Sequence, residues 1–308
     1  MLFRQQKVFT LIDSISFRVP GERAPTLDKI IVQGEHYSRG TLKNLQITQD
    51  PDGVFCRGSI AKYLQGNNVM PLTRQGVSEA LSKLENQTGW NLKKAELYQI
   101  EIGTTLQVQN PPCMYLAGWG NLPRFTKQMY QNKELETVSY IQKSRAFTGY
   151  DKRIEAEKKG AEVPAIFSGA ELIRLELSYL KGLKRRIGRQ LCPWDIADRD
   201  LYMELVQKWQ DFYFSIPKGR IPVLDITGGI KPKDIDNILR AYGLQALGYD
   251  TASGFIGSLE RQGHLGRVQA TRARKAILEA ARDNKVSCAD NITAELDARV
   301  REVCAYAR

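Results

Sequence analysis

Between Glu96 and Val108 the chain alternates so regularly that only one local structure suits it. Tyr98, Ile100, Ile102, Leu106 and Val108 fall on one side, and Gln99, Glu101, Gly103, Thr105 and Gln107 on the other. A period of two is that of a β-strand. One apolar and one polar face imply an antiparallel sheet, covered by helices on one side. The same pattern recurs in residues 8–19, where Phe9, Leu11, Ile15, Phe17 and Val19 share a face that Asp13 interrupts, until Pro20-Gly21 ends it. It recurs again in 172–179, with Ile173, Leu175, Leu177 and Tyr179 alternating against Arg174, Glu176 and Ser178. Residues 137–142 and 145–152 read as two further strands, and 28–37, 45–48 and 54–60 as shorter ones, with a loop at 65–68. Residues 73–88 carry Val77, Leu81 and Leu84 at helical spacing and stop at Gly89.

The second half changes period. Residues 195–216 place Leu201, Leu205, Trp209 and Phe212 on one helical stripe, and breakers follow at 216–222 and 227–229. Helices are expected over 233–247, 250–262, 267–284 and 290–307. The expected class is therefore α+β: an antiparallel sheet with helices on one face, followed by a mostly helical C-terminal domain. The expected boundary lies near Arg189, giving domains 1–189 and 190–308.

The chain has 308 residues, 42% hydrophobic and 26% charged, as in a globular protein, and no apolar run long enough to span a bilayer. No leader stands out at the N-terminus, so the expected location is the cytoplasm. Net charge is +11, which favours a polyanionic partner, nucleic acid first. The five cysteines are scattered without CxxC spacing, which argues against a structural zinc site or a disulfide framework. With only two histidines, a catalytic metal must rest on carboxylates, and hard oxygen ligands suit Mg2+ or Mn2+.

The chemistry-bearing residues collect on the polar face. Glu101 and Glu176 sit on two strands, and Thr148, Tyr150 and Lys152 share one side of a third. If these strands are neighbours, two carboxylates, a phenol and an ammonium converge on one surface. A tyrosine can attack a phosphodiester once activated, and a metal held by Glu101 and Glu176 would polarise the phosphate. Lys152 would neutralise a non-bridging oxygen or assist proton transfer from Tyr150.

Five segments occur in this order: Ile12-Asp-Ser-Ile-Ser-Phe-Arg-Val-Pro20, Ser59-Ile-Ala-Lys-Tyr-Leu-Gln-Gly-Asn-Asn68, Gln99-Ile-Glu101, the stretch 145–155, and Leu172-Ile-Arg-Leu-Glu176. Their succession resembles the replication initiators of filamentous phages, the gene II/gene X protein family. The stretch Ala61-Lys-x-Leu-Gln-Gly-x-Asn68 is the most specific match. The Tyr-x-Lys-x-x-Glu pattern of Tyr150, Lys152 and Glu155 is also similar to the transesterifying site of staphylococcal rolling-circle plasmid initiators. Departures are Glu101 where the family pattern has aspartate, Gln99 where it has arginine, and the lack of a His-hydrophobic-His motif. The resemblance implies that Tyr150 is the nicking nucleophile and that Glu101 and Glu176 are metal ligands. Glu155 is either a third ligand or an exposed helix residue. It implies a rolling-circle initiator that nicks the plus strand of double-stranded origin DNA, keeps a 5′-phosphotyrosyl link, and rejoins the displaced single strand into a circle. Host helicase and polymerase would be partners, no membrane is involved, and an oligomer on DNA is open.

Two basic clusters are candidate DNA contacts. Lys184, Arg185 and Arg186 lie in the run 181–186, and Arg272, Arg274 and Lys275 lie on the second helix of an expected helix-turn-helix pair over 250–281. Trp90, Trp119, Trp194 and Trp209 either stack unpaired bases or fill the core. Two rival readings stand beside the initiator: a non-enzymatic DNA-binding regulator, and a strand transferase of plasmid mobilisation or transposition. Tyr150, Glu101 and Glu176 together favour an enzyme over a pure binder.

Overall fold

Alternation builds the sheet that the sequence calls for, and its central strands are the ones with the clearest pattern. The structure is a computed structural model that describes residues 12–35, 37–69, 72–133, 135–218, 222–224, 235–236, 239–240, 243, 249–282, 286–288 and 290–307. Ten strands form one sheet: β1 (Ile12–Pro20), β2 (Lys29–Gln33), β3 (Ser38–Leu42), β4 (Leu45–Asp50), β5 (Gly53–Ser59), β6 (Glu96–Val108), β7 (Thr126–Gln131), β8 (Leu135–Gln142), β9 (Arg145–Asp151) and β10 (Glu171–Tyr179). Their order is β2-β3-β4-β5-β1-β6-β10-β9-β8-β7, and every neighbouring pair is antiparallel. The helices α1 (Ile60–Gln65), α2 (Arg74–Thr88), α3 (Pro112–Ala117), α4 (Lys152–Lys158), α5 (Leu183–Ile187) and α6 (Arg199–Ser215) connect or cover the strands. The α+β class holds.

One face of the sheet is the core. Ile15 pairs with Ile100, Leu177 with Ile102 and with Phe147, and all are buried. Over β10 and β9 lies α6: buried Trp209 donates its indole N–H to the Leu175 carbonyl at 3.3 Å, and Phe212 stacks on Phe147 with centroids 4.9 Å apart. Trp90 packs edge-on against Phe17. Trp90, Trp119 and Trp209 are thus core residues with no face left for a base, and Trp194 is half-buried.

Gly149 on β9 is closely met by Trp119 and Leu116. A Cβ at this position would lie 2.3 Å from the Trp119 ring and 2.9 Å from Leu116. Gly149→Ala is expected to destabilise the fold by roughly 1–3 kcal/mol, the usual cost of overpacking a filled core. A denaturant midpoint equal to wild type would show that this approach is not tight.

Two β-bulges change the faces the sequence implies. β1 and β6 keep register except between Ile12 and Ser14 and between Ser16 and Phe17. At the second shift Ser16 pairs with Gln99 and Phe17 with Leu97, so Tyr98 is the extra residue. Leu97 is therefore buried, and Tyr98, expected on the apolar face, is exposed and donates to Glu96.

Other differences have local causes. The expected strand over 28–37 is a hairpin, β2 pairing with β3. Residues 54–60 end as a strand at Ser59, whose hydroxyl caps α1 by accepting from the Lys62 N–H. The expected helix over 195–216 splits into a 3-10 turn, Pro193–Ala197, and α6. Asp198 turns extended between them and caps α6, accepting from the N–H groups of Asp200 and Leu201 at 3.1 Å each. Residues 8–11 and most of the expected helix over 233–247 lie outside the described residues.

The chain packs as two compact units, 1–217 with 295–308, and 218–294. This division does not fall at Arg189, because Leu201, Leu205, Trp209 and Phe212 bury α6 in the first unit. Within the second unit, strands β11 (Pro222–Leu224) and β12 (Val286–Cys288) pair antiparallel. Helices Tyr249–Arg261 and Arg267–Arg282 are joined by a turn at Gly263, whose φ of 78° suits glycine. The last helix, Asp290–Ala307, buries Val300 and Val303. Among the described residues no helix is long and apolar enough to cross a membrane.

Candidate active site

Four adjacent strands, β1, β6, β10 and β9, bring the polar residues together. Register places Glu101 opposite Ser178, Glu176 opposite Thr148, and Arg174 opposite Tyr150, all on the face away from α6. Glu101 accepts a hydrogen bond from Ser178 at 3.0 Å. Tyr150 donates its phenol to Glu176 Oε1 at 2.8 Å. Gly103, opposite Glu176, leaves the room this side chain needs, since a Cβ there would lie 2.6 Å from Glu176 Cγ.

Asp13 joins this group through the first bulge of β1. Simple alternation puts it on the apolar side, but the shift between Ile12 and Ser14 turns it to the polar face. Its carboxylate accepts from the Ser59 hydroxyl, from Asn68 Nδ2 at 3.0 Å and from Arg174 Nη2. Arg174 is buried and fully engaged. Beyond Asp13 it donates to Glu176 Oε1 at 2.7 Å, to the Asn68 carbonyl at 2.6 Å and to Thr105 Oγ1 at 3.2 Å.

The electrostatics follow from crowding. Burial, then the charges of Glu176 and Asp13, push Glu101 up to about 8, against the pull of Arg174 and the Ser178 hydrogen bond. Burial and Glu176 likewise hold the Tyr150 phenol well above its ordinary value, so it stays protonated. Burial works against charge on Arg174, but Asp13 and Glu176 outweigh it and keep its pKa above the usual guanidinium value.

Oxygens of Asp13, Glu101 and Glu176 lie within 4.8 Å of one another. The set fits a divalent cation of the Mg2+ or Mn2+ kind: all donors are carboxylates, and their repulsion, visible in the raised Glu101, is what a cation relieves. Glu155 lies outside this group. It is held by Lys152 at 2.7 Å and by Lys159, and although burial raises it, these two ammonium groups bring it below the ordinary carboxylate value.

Lys152 is not on the strand. Asp151 ends β9 and caps α4, accepting from the N–H groups of Arg153 and Ile154 at 2.9 Å each, so Lys152 opens the helix. Its buried ammonium donates to Asn68 Oδ1 at 3.0 Å and to Glu155, and lies 5.9 Å from the centre of the Tyr150 ring. Burial, then the charge of Arg174, lowers its pKa. The group lines a cavity of about 650 Å3 with Lys62, Asn67, Val69 and Lys159. Asn68 joins the two halves of the site, donating to Asp13 and accepting from Lys152. Asp13 and Asn68 escaped the strand pattern. The available signals were an acid inside an apolar run and the asparagine that closes the motif 61–68.

The basic candidates lie elsewhere. Lys184 and Arg185 are exposed on α5, whereas Arg186 is half-buried and donates to Ser144. In the second unit Arg272 is exposed, Arg274 pairs with Glu260 at 2.8 Å, and Lys275 lies 3.9 Å from Glu279.

No curated protein matches the chain. A phage family model described as replication-associated protein G2p, N-terminal, matches residues 27–210, more than half of the chain and four of the five motif segments in full. With Glu101, Glu176 and Tyr150 gathered on one sheet face within that span, the chain belongs to this family of phage replication initiators.

Proposed function

We propose that the chain nicks one strand of origin DNA through Tyr150 and later rejoins the displaced strand. The observation that carries this reading is the placement of the Tyr150 phenol 2.8 Å from a carboxylate of the Asp13, Glu101 and Glu176 group, on the sheet face away from α6. Tyr150 Oη attacks the scissile phosphorus, the bond to the 3′ oxygen breaks, and a 5′-phosphotyrosyl link forms. Glu176, already accepting the phenolic hydrogen bond, is the base for its proton. Asp13, Glu101 and Glu176 would hold Mg2+ or Mn2+, which when bound supplies Lewis-acid polarisation of the phosphate. Lys152 acts through charge, its ammonium fixed by Asn68 and Glu155 beside the Tyr150 ring. Once a second cleavage at the regenerated origin frees the 3′ end of the displaced strand, attack by that 3′-hydroxyl on the phosphotyrosine releases the Tyr150 phenol and closes a circle, conserving the phosphodiester bond energy. Between the two steps, host polymerase would extend the 3′ end while a host helicase opens the duplex.

The test is incubation with a supercoiled plasmid carrying the phage intergenic region, with Mg2+ or Mn2+ and with a chelator. The expected result is a metal-dependent nick and a peptide adduct that mass spectrometry maps to Tyr150. A nick without an adduct, or an adduct at another residue, contradicts the assignment.

A further inference from the structure

Arg145 opens the motif that carries Tyr150, yet the chemistry above does not use it. Its guanidinium lies over two rings, 5.1 Å from the centre of Phe125 and 5.3 Å from that of Phe212. Among the described residues it makes no hydrogen bond and no ion pair, and its Nε is buried without a partner. A second arginine stands beside it. Arg186, from α5, donates to Ser144 in the β8–β9 turn, and its Nε is also buried and unpartnered. Neither has a carboxylate within ion-pair distance among the described residues. Glu204, which acts on nearby Tyr179, is bound to Lys208 at 3.2 Å. Burial, then the charge of Arg186, lowers the Arg145 pKa, with Tyr179 acting the other way. Two guanidinium groups carry planar forks of N–H donors suited to phosphate oxygens.

We infer that Ser144, Arg145 and Arg186 form a phosphate-binding site that takes one backbone phosphodiester of duplex DNA. It is not the scissile phosphate. Arg145 and Tyr150 lie five residues apart on β9 and on opposite faces, about 17 Å along the strand at ~3.3 Å per residue. That length corresponds to about five steps of ~3.4 Å along one DNA strand. The site therefore anchors flanking duplex at the rim of the sheet, and it does not depend on the identity of the nucleophile.

The test uses the full chain in a chelator, so strand chemistry is absent and failure of the nicking reading cannot imitate failure here. Duplex binding is measured by fluorescence anisotropy over a salt series for wild type, Arg186→Gln and Arg145→Met/Arg186→Gln. Methionine keeps an apolar stem between the two rings. Arg186→Gln leaves Arg145 packing intact and tests the same site should the double variant not fold. In parallel, melting is followed with inorganic phosphate and with chloride at equal ionic strength. Wild type is expected to be stabilised by phosphate and the variants not. The slope of log K against log salt should be shallower by about 0.9 in the double variant, one phosphate contact rather than two. Equal phosphate stabilisation in wild type and variants overturns the site. Loss of phosphate stabilisation with an unchanged DNA slope overturns the assignment to backbone DNA in favour of free phosphate.

Discussion

Tyr150→Phe is expected to lower nicking by roughly four orders of magnitude or more, as removal of a nucleophile does, and to leave no covalent adduct. The substitution deletes one oxygen and keeps the ring, so duplex affinity in a chelator should stay within about twofold of wild type, a difference under ~0.5 kcal/mol. The lost hydrogen bond to Glu176 should cost about 1 kcal/mol of stability. Nicking and adduct formation have to fall together with binding intact. A variant that nicks as fast as wild type would move the nucleophile elsewhere. One that loses binding as well would make Tyr150 a structural residue.

Arg174→Met is expected to cost about 3–5 kcal/mol, the usual penalty for removing one partner of a buried ion pair. Methionine fills part of the volume but leaves Asp13 and Glu176 without their guanidinium, beside a Glu101 already raised to about 8. For a unit of this size a loss of that order lowers the melting midpoint by roughly 10 °C. The sign with pH is defined. Without Arg174 the carboxylates titrate higher in the folded state than in the unfolded chain, so ionising them weakens the fold as pH rises above the unfolded value. The penalty should therefore shrink as pH is lowered toward ~4. Mn2+ should restore more stability to this variant than to wild type, since a cation there replaces the missing charge. A penalty independent of pH and unaffected by Mn2+ would show that the three carboxylates do not act as one group.

The sheet was legible because period two in residue type survives in residues 96–108 and 172–179, even where Gly103, Thr105 and Arg174 on the polar side are buried as well. Those two strands placed Glu101 and Glu176 on the same polar face, and the structure brings them together. Alternation could not place Asp13 or Tyr98, because a bulge reverses parity without leaving a mark in composition. Lys152 reads as the next outward residue of a strand unless Asp151 is recognised as a helix cap that ends it. The hairpin over 29–42 and the short helix α3 were hidden because their elements span only five or six residues, too few for a period to stand out.

The first bulge of β1 amounts to a reading frame written in space. Side-chain direction flips with each residue, so Asp13 shares a face with Glu101 and Glu176 only because it is itself the surplus residue between Ile12 and Ser14. Substitutions elsewhere along β1 leave that frame intact. Deleting that surplus residue, Asp13 itself, would let Ile12 and Ser14 pair continuously with β6 and would take one of the three carboxylates away, so a more regular sheet would lose the proposed cation site.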